Sequence, residues 1–151
     1  MSGTGKSSAL LELEKLGFEV VDTDHGGWTT WSENDGGFIW HEDRISELLR
    51  RDMGKTLYVS GTVSNQGRFY PRFDAIVLLS APSAVLLQRV ASRTTNDYGK
   101  SNKERDLILQ HLAEIEPLLR ATCTHELDAT QPLDAVVEQL VAIGGGAPPP
   151  P

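Results

Sequence analysis

Apolar positions recur along the chain with two different periods. Leu10, Leu13 and Leu16 lie at helical spacing within residues 7–16, and Gly17 follows as a C-terminal stop. Residues 18–21 form a short apolar run that reads as a strand. Residues 22–37 are rich in Gly, Asp, Thr and Asn, which predicts a loop. Ile45, Leu48 and Leu49 give a helix over residues 39–51 its apolar face. Residues 56–60 and 74–79 read as strands. The second is nearly continuous in apolar residues, as a parallel strand covered on both faces must be. Pro82 opens a helix that runs to Arg93, and a polar connection, residues 94–100, comes next. Ser101 and Glu104 have capping-box spacing for a helix striped by Ile108, Leu112, Ile115 and Leu119. Pro117 is expected to kink or end it. Residues 124–127 make a last strand. From Pro132 a final helix turns Val136, Val137, Leu140 and Val141 inward.

Strands alternate with helices, so the pattern predicts an α/β domain with a parallel sheet over residues 1–143. Residues 144–151, three glycines, an alanine and four prolines, read as a disordered tail.

Charge and composition narrow the partners. The 151-residue chain carries a formal net charge of −7, which argues against a nucleic-acid or membrane-surface binder. It leaves room for a phosphate ligand, which a few local positive groups decide. Residues 75–87 are the longest apolar stretch, and Ser80, Pro82 and Ser83 interrupt it, so no bilayer span is expected. Cys123 stands alone, which suits a reducing cytoplasm, and it reads as a small buried residue. The four histidines form no ligand cluster, so no zinc is expected. A monomer or weak homodimer is the expected state.

Chemistry concentrates at the N-terminus. Ser2, Gly3, Thr4, Gly5, Lys6 and Ser7, followed by Ser8, match the end of G-x-x-x-x-G-K-[ST] directly before a helix. Glycines let the backbone N–H groups face phosphate oxygens, and the helix start adds its positive dipole end. Lys6 suits the β- and γ-phosphates, and the Ser7 hydroxyl suits Mg²⁺. The motif's first glycine would fall one residue before Met1. The expectation is that Met1 is internal to a longer polypeptide, and that the first, central strand feeding this loop is missing from the chain.

These residues resemble the small P-loop kinases, a group that includes shikimate, gluconate and nucleoside monophosphate kinases. The resemblance rests on the phosphate loop, on Asp22, Thr23 and Asp24, on the spacing of Arg89 and Arg93, and on residues 128–132. It implies a three-layer P-loop sandwich with a five-stranded parallel sheet, ATP with Mg²⁺, and phosphoryl transfer to a small hydroxylated or phosphorylated acceptor. By position, Asp22 falls on the Mg²⁺ side and Asp24 at the acceptor hydroxyl. Arg89 and Arg93 match the start of a lid, where arginines offset charge on the moving phosphoryl group; a solvated helix face is the alternative. Arg120 matches a later arginine that reaches the site. Residues 128–132, with Thr130 and Pro132, match the loop that cups adenine.

Trp28, Trp31, Trp40 and Arg44 fall in the acceptor-binding region, where Trp40 and Ile45 fit the core equally well. The shikimate kinases carry a triple glycine after the third strand. This chain departs from that pattern, with Ser60, Gly61, Thr62, Val63, Ser64, Asn65 and Gln66 there, which leaves the acceptor's identity open. Ser60, Ser64, Asn65, Gln66 and Arg68 are candidate contacts to the acceptor or to a Mg²⁺-bound water. The rival functions are a nucleoside or nucleotide kinase, and a non-catalytic nucleotide-binding regulator.

Overall fold

A computed structural model of the chain describes residues 3–51, 54–94 and 97–146. They fall into two compact units: Met1–Lys6 with Ala75–Gln139, and Ser7–Asp74 with Leu140–Pro151. The boundary passes through the phosphate-loop motif, between Lys6 and Ser7.

Helix α1 (Lys6–Lys15) leads into the Ser7–Asp74 unit. Ala9, Leu10 and Leu13 are its buried face. It ends at Gly17, where the Gly17 and Phe18 N–H groups donate back to Glu14 and Leu13 carbonyls. Strand β1 (Glu19–Asp22) follows and pairs in parallel with β4 (Leu57–Ser60), in a register that sets Asp22 beside Ser60.

Residues 22–37, predicted as loop, hold a hairpin instead: β2 (Thr29–Ser32) runs antiparallel to β3 (Gly37–Trp40). Trp31 and Phe38 oppose each other across it, edge to face at 5.4 Å, a pairing that favours a sheet. The Gly and Asp residues that suggested a loop occupy the turn and the flanks. Because β3 takes up Ile39 and Trp40, helix α2 (Glu42–Arg50) starts later than its apolar pattern suggested. Ile45 and Leu48 are its buried face. A 3-10 helix, Gln66–Arg72, which the periodicity did not signal, adds Phe69 to a core with Trp40 and Ile45.

The other unit is built on β5 (Val77–Ser80), parallel to β6 (His125–Asp128). Helix α3 (Ser83–Ser92) buries Leu86 and Val90, and α4 (Asn102–Thr122) buries Ile108. The capping box forms as predicted: Ser101 Oγ accepts the Glu104 N–H, and the Glu104 carboxylate accepts the Ser101 N–H. Pro117 neither ends α4 nor marks its limit; the helix runs five residues further, to Thr122. A 21-residue helix absorbs the loss of one backbone donor.

Helix α5 (Leu133–Ile143) passes from one unit to the other. Its end involves the first glycines of the predicted tail. Gly145 and Gly146 donate to the Ala142 and Val141 carbonyls, which closes the helix, and the Gly144 carbonyl accepts the Thr56 hydroxyl. The rest of the predicted tail, residues 147–151, lies outside the described residues.

The five-stranded sheet is not formed among the described residues. The four parallel strands stand as two separate pairs, β1 with β4 and β5 with β6, and the hairpin is a third two-stranded sheet.

Candidate active site

Each unit carries part of the predicted chemistry. In the Ser7–Asp74 unit, α1 presents Ser7 at its first turn, and β1 delivers Asp22 at its C-terminal end, where open α/β sheets bind ligands. The two meet: Ser7 Oγ donates to Asp22 Oδ2 at 2.7 Å. The other carboxylate oxygen, Oδ1, accepts the Asp24 N–H at 3.1 Å and the Ser60 hydroxyl at 3.3 Å. Asp24 itself is exposed, as is Ser8 on the first turn of α1.

Hydroxyl and carboxylate oxygens gathered at one point are the hard donors that Mg²⁺ takes, with much of its shell left to water and phosphate. Ser7 and Asp22 therefore fit the ion.

In the same unit Arg44 is already occupied. One guanidinium nitrogen, Nη1, donates to the Gly26 and Gly27 carbonyls at 2.6 and 2.8 Å, and its carbon sits 3.9 Å from the Trp28 ring centre. The pair props up the loop after Asp24. Asn65 and Gln66, read as acceptor contacts, make hydrogen bonds within the unit. Asn65 is buried and bonds both backbone groups of Trp40. Gln66 accepts the Val63 N–H and donates to the Tyr70 hydroxyl. Arg68 is ion-paired with Glu42. Trp40 is core, and Trp31 is exposed on the hairpin.

In the other unit, Gly3 and Gly5 have φ of +80° and +85°, the left-handed region that favours glycine. A Cβ on Gly3 would also come within 2.9 Å of the Leu86 carbonyl oxygen. Thr4 is buried and Lys6 half-buried; Ser2 lies outside the described residues.

Arg89 is not a solvated surface group. It donates to the Ala129 carbonyl at 2.6 Å and, more weakly, to the Gly3 carbonyl at 3.4 Å. It thereby ties the phosphate loop to the loop that carries Thr130 and Pro132. Asp128 folds that loop by accepting both the N–H and the hydroxyl of Thr130. These bonds, with the charge of Arg89, lower its pKa.

Arg93 caps α3 and donates to the Tyr98 carbonyl at 2.8 Å. Its Nε is buried and has no partner among the described residues. Part of the polar connection after it, residues 95 and 96, lies outside them too.

Arg120 is engaged by two carboxylates. Its guanidinium is held by Glu126 and Glu116 at 2.8 and 2.7 Å. Those bonds raise its pKa and, with the Ser80 hydroxyl, bring Glu126 down to about 2. Cys123, expected to be buried, is half-buried at the end of α4, its thiol 3.4 Å from the Arg120 carbonyl.

Residues 1–110 match the AAA domain family. Shikimate kinase 2 of Yersinia enterocolitica is 30% identical over 156 aligned positions, spanning 93% of this chain and 90% of that protein. A solved shikimate kinase from Acinetobacter baumannii, in complex with shikimate, superposes with a TM-score of 0.64 at 19% identity, covering 93% of this chain and 87% of that one. The chain belongs to the AAA domain family of P-loop proteins, among the small P-loop kinases. Its fold is that of the shikimate kinase-like α/β proteins. No described helix is long and apolar enough to cross a membrane.

Proposed function

We propose that the protein is a kinase that moves the γ-phosphoryl group of ATP to a hydroxyl of a small hydroxylated or phosphorylated metabolite. The observation that carries this reading is the 2.7 Å bond from Ser7 to Asp22, which joins the phosphate-loop motif to the first acidic residue after β1. Ser7 and Asp22 would hold Mg²⁺, which offsets phosphate charge when bound. Lys6 would bind the β- and γ-phosphates. Asp24 would accept the proton of the acceptor hydroxyl as its oxygen bonds to the γ-phosphorus and the bond to the β,γ-bridging oxygen breaks. Arg93, with a buried N–H lacking a described partner, suits a role in offsetting charge on the transferred group. Arg89 would position the phosphate and adenine loops rather than touch the reacting atoms.

Arg44 supports a narrower view of the acceptor. With Nη1 spent on Gly26 and Gly27 and its face on Trp28, it offers less to an anionic acceptor than a free guanidinium would. The acceptor is therefore read as a hydroxylated small molecule.

The test is ADP release on mixing protein, Mg²⁺ and ATP with a panel of small acids, sugars, nucleosides and nucleotides. Acceptor-dependent release by one hydroxylated compound supports the proposal. Release only with nucleosides or nucleotides supports the nucleotide-kinase rival, and nucleotide binding without acceptor-dependent release supports a regulatory role.

A further inference from the structure

Thr23, between the two carboxylate residues, is 1% exposed. Its N–H and its hydroxyl both donate to the Ser60 carbonyl, at 2.9 and 2.7 Å. The hydroxyl oxygen in turn accepts the Trp40 indole N–H at 2.8 Å. A buried hydroxyl that donates once and accepts once is well satisfied.

Trp40 is fixed independently of Thr23. Its backbone N–H and C=O are both bonded to the Asn65 amide, at 2.9 and 3.1 Å, and Phe69 packs against its ring with centroids 5.8 Å apart. The space around the pair is closed. A Cβ on Gly61 would stand 2.2 Å from Thr23 Oγ1 and 3.2 Å from the Trp40 ring. Thr23 therefore has little room to shift, and the backbone that carries Asp22 and Asp24 leaves β1 from a clamped point.

We propose that Trp40 and Thr23 are positioning residues, a buried hydrogen-bonded strut that sets where the Asp22 and Asp24 carboxylates stand for Mg²⁺ and for the acceptor hydroxyl. This rests on the kinase reading of those two carboxylates.

The test uses the whole chain. Thr23→Val keeps the shape and removes the hydroxyl, Thr23→Ser keeps the hydroxyl, and Trp40→Phe removes only the indole N–H donor and part of the ring. For each, binding of a fluorescent ATP analogue is titrated with Mg²⁺, and folding is checked by thermal melting. In Thr23→Val and Trp40→Phe the half-saturating Mg²⁺ should rise about 10-fold, with Thr23→Ser within about twofold of wild type. Nucleotide binding without Mg²⁺ should be unchanged.

A cooperatively melting Thr23→Val protein with the wild-type Mg²⁺ requirement overturns the proposal alone. So does a Thr23→Ser protein as impaired as Thr23→Val. If Thr23→Val does not melt cooperatively, Trp40→Phe decides by the same titration. A wild-type protein whose nucleotide binding ignores Mg²⁺ overturns the kinase reading of Asp22, and the proposal with it.

Discussion

Ser7 and Asp22 are fifteen positions apart in sequence, yet the Ser7 hydroxyl donates to the Asp22 carboxylate at 2.7 Å. Helix α1 carries the chain away from the phosphate loop, the turn at Gly17 reverses it, and β1 brings it back. An oxygen pair of this kind is what a loop ending in Lys and Ser needs if it is to handle a phosphate ligand together with Mg²⁺.

Asp22 and Asp24 should separate by function. Asp22→Asn is expected to raise the Mg²⁺ concentration needed for nucleotide binding. Asp24→Asn should leave Mg²⁺-dependent ATP binding near wild type while phosphoryl transfer falls steeply. Nucleotide titrations and initial rates distinguish the two, and equal small effects would mean that the loop is merely solvated.

Lys6→Ala removes the cation proposed to bind the phosphates. The expected loss of phosphoryl transfer is about 10²-fold or more, as for other donors that stabilise transition-state charge. Near-normal turnover would remove the phosphate-loop assignment.

Asn65→Ala tests a structural role against an acceptor-binding one. The substitution strips partners from both backbone groups of Trp40 in a buried setting, at a cost of about 1–3 kcal/mol for each group left unsatisfied. Urea unfolding should show that loss. If stability held and only acceptor affinity fell, Asn65 would be a binding residue after all.

The Arg120–Glu126 pair predicts a pH effect. Glu126 is brought from 4.5 to about 2 in the folded state, chiefly by its bonds to Arg120 and then by Ser80. A depressed folded pKa stabilises the fold above the unfolded value, and the contribution fades as pH falls from 4.5 toward about 2. Glu126→Gln should therefore melt lower than wild type at neutral pH, and the gap should close over that acid range. The gap should be modest, because the Arg120 and Glu126 side chains are 46% and 35% exposed and solvent screens them. A pH-independent gap would assign the effect to packing.

Much of this was legible in the sequence because it is local. The phosphate loop, the stop at Gly17, the capping box at Ser101 and the alternation of strands with helices all depend on residues a few positions apart. The hairpin was hidden because each strand has four residues and the Gly and Asp around it dominate the composition. The strut from Trp40 through Thr23 to Ser60 was hidden for a different reason. It joins three segments that only the pairing of β1 with β4 and the hairpin bring together, and a Thr between two aspartates gives no sign of which way its hydroxyl points. The Glu116 partner of Arg120 lies four positions away and is readable on the helix, but Glu126 on the next strand is brought to it only by the fold.

The most direct measurement of the central claim follows the phosphoryl group itself. ATP labelled at the γ-phosphate is incubated with the protein, Mg²⁺ and the acceptor found in the ADP-release panel, and the small molecules are separated and counted. The expected result is label on the acceptor, dependent on Mg²⁺ and lost in Lys6→Ala. Label that appears only as inorganic phosphate, or transfer that survives Lys6→Ala unchanged, would contradict the assignment of a phosphoryl-transfer enzyme.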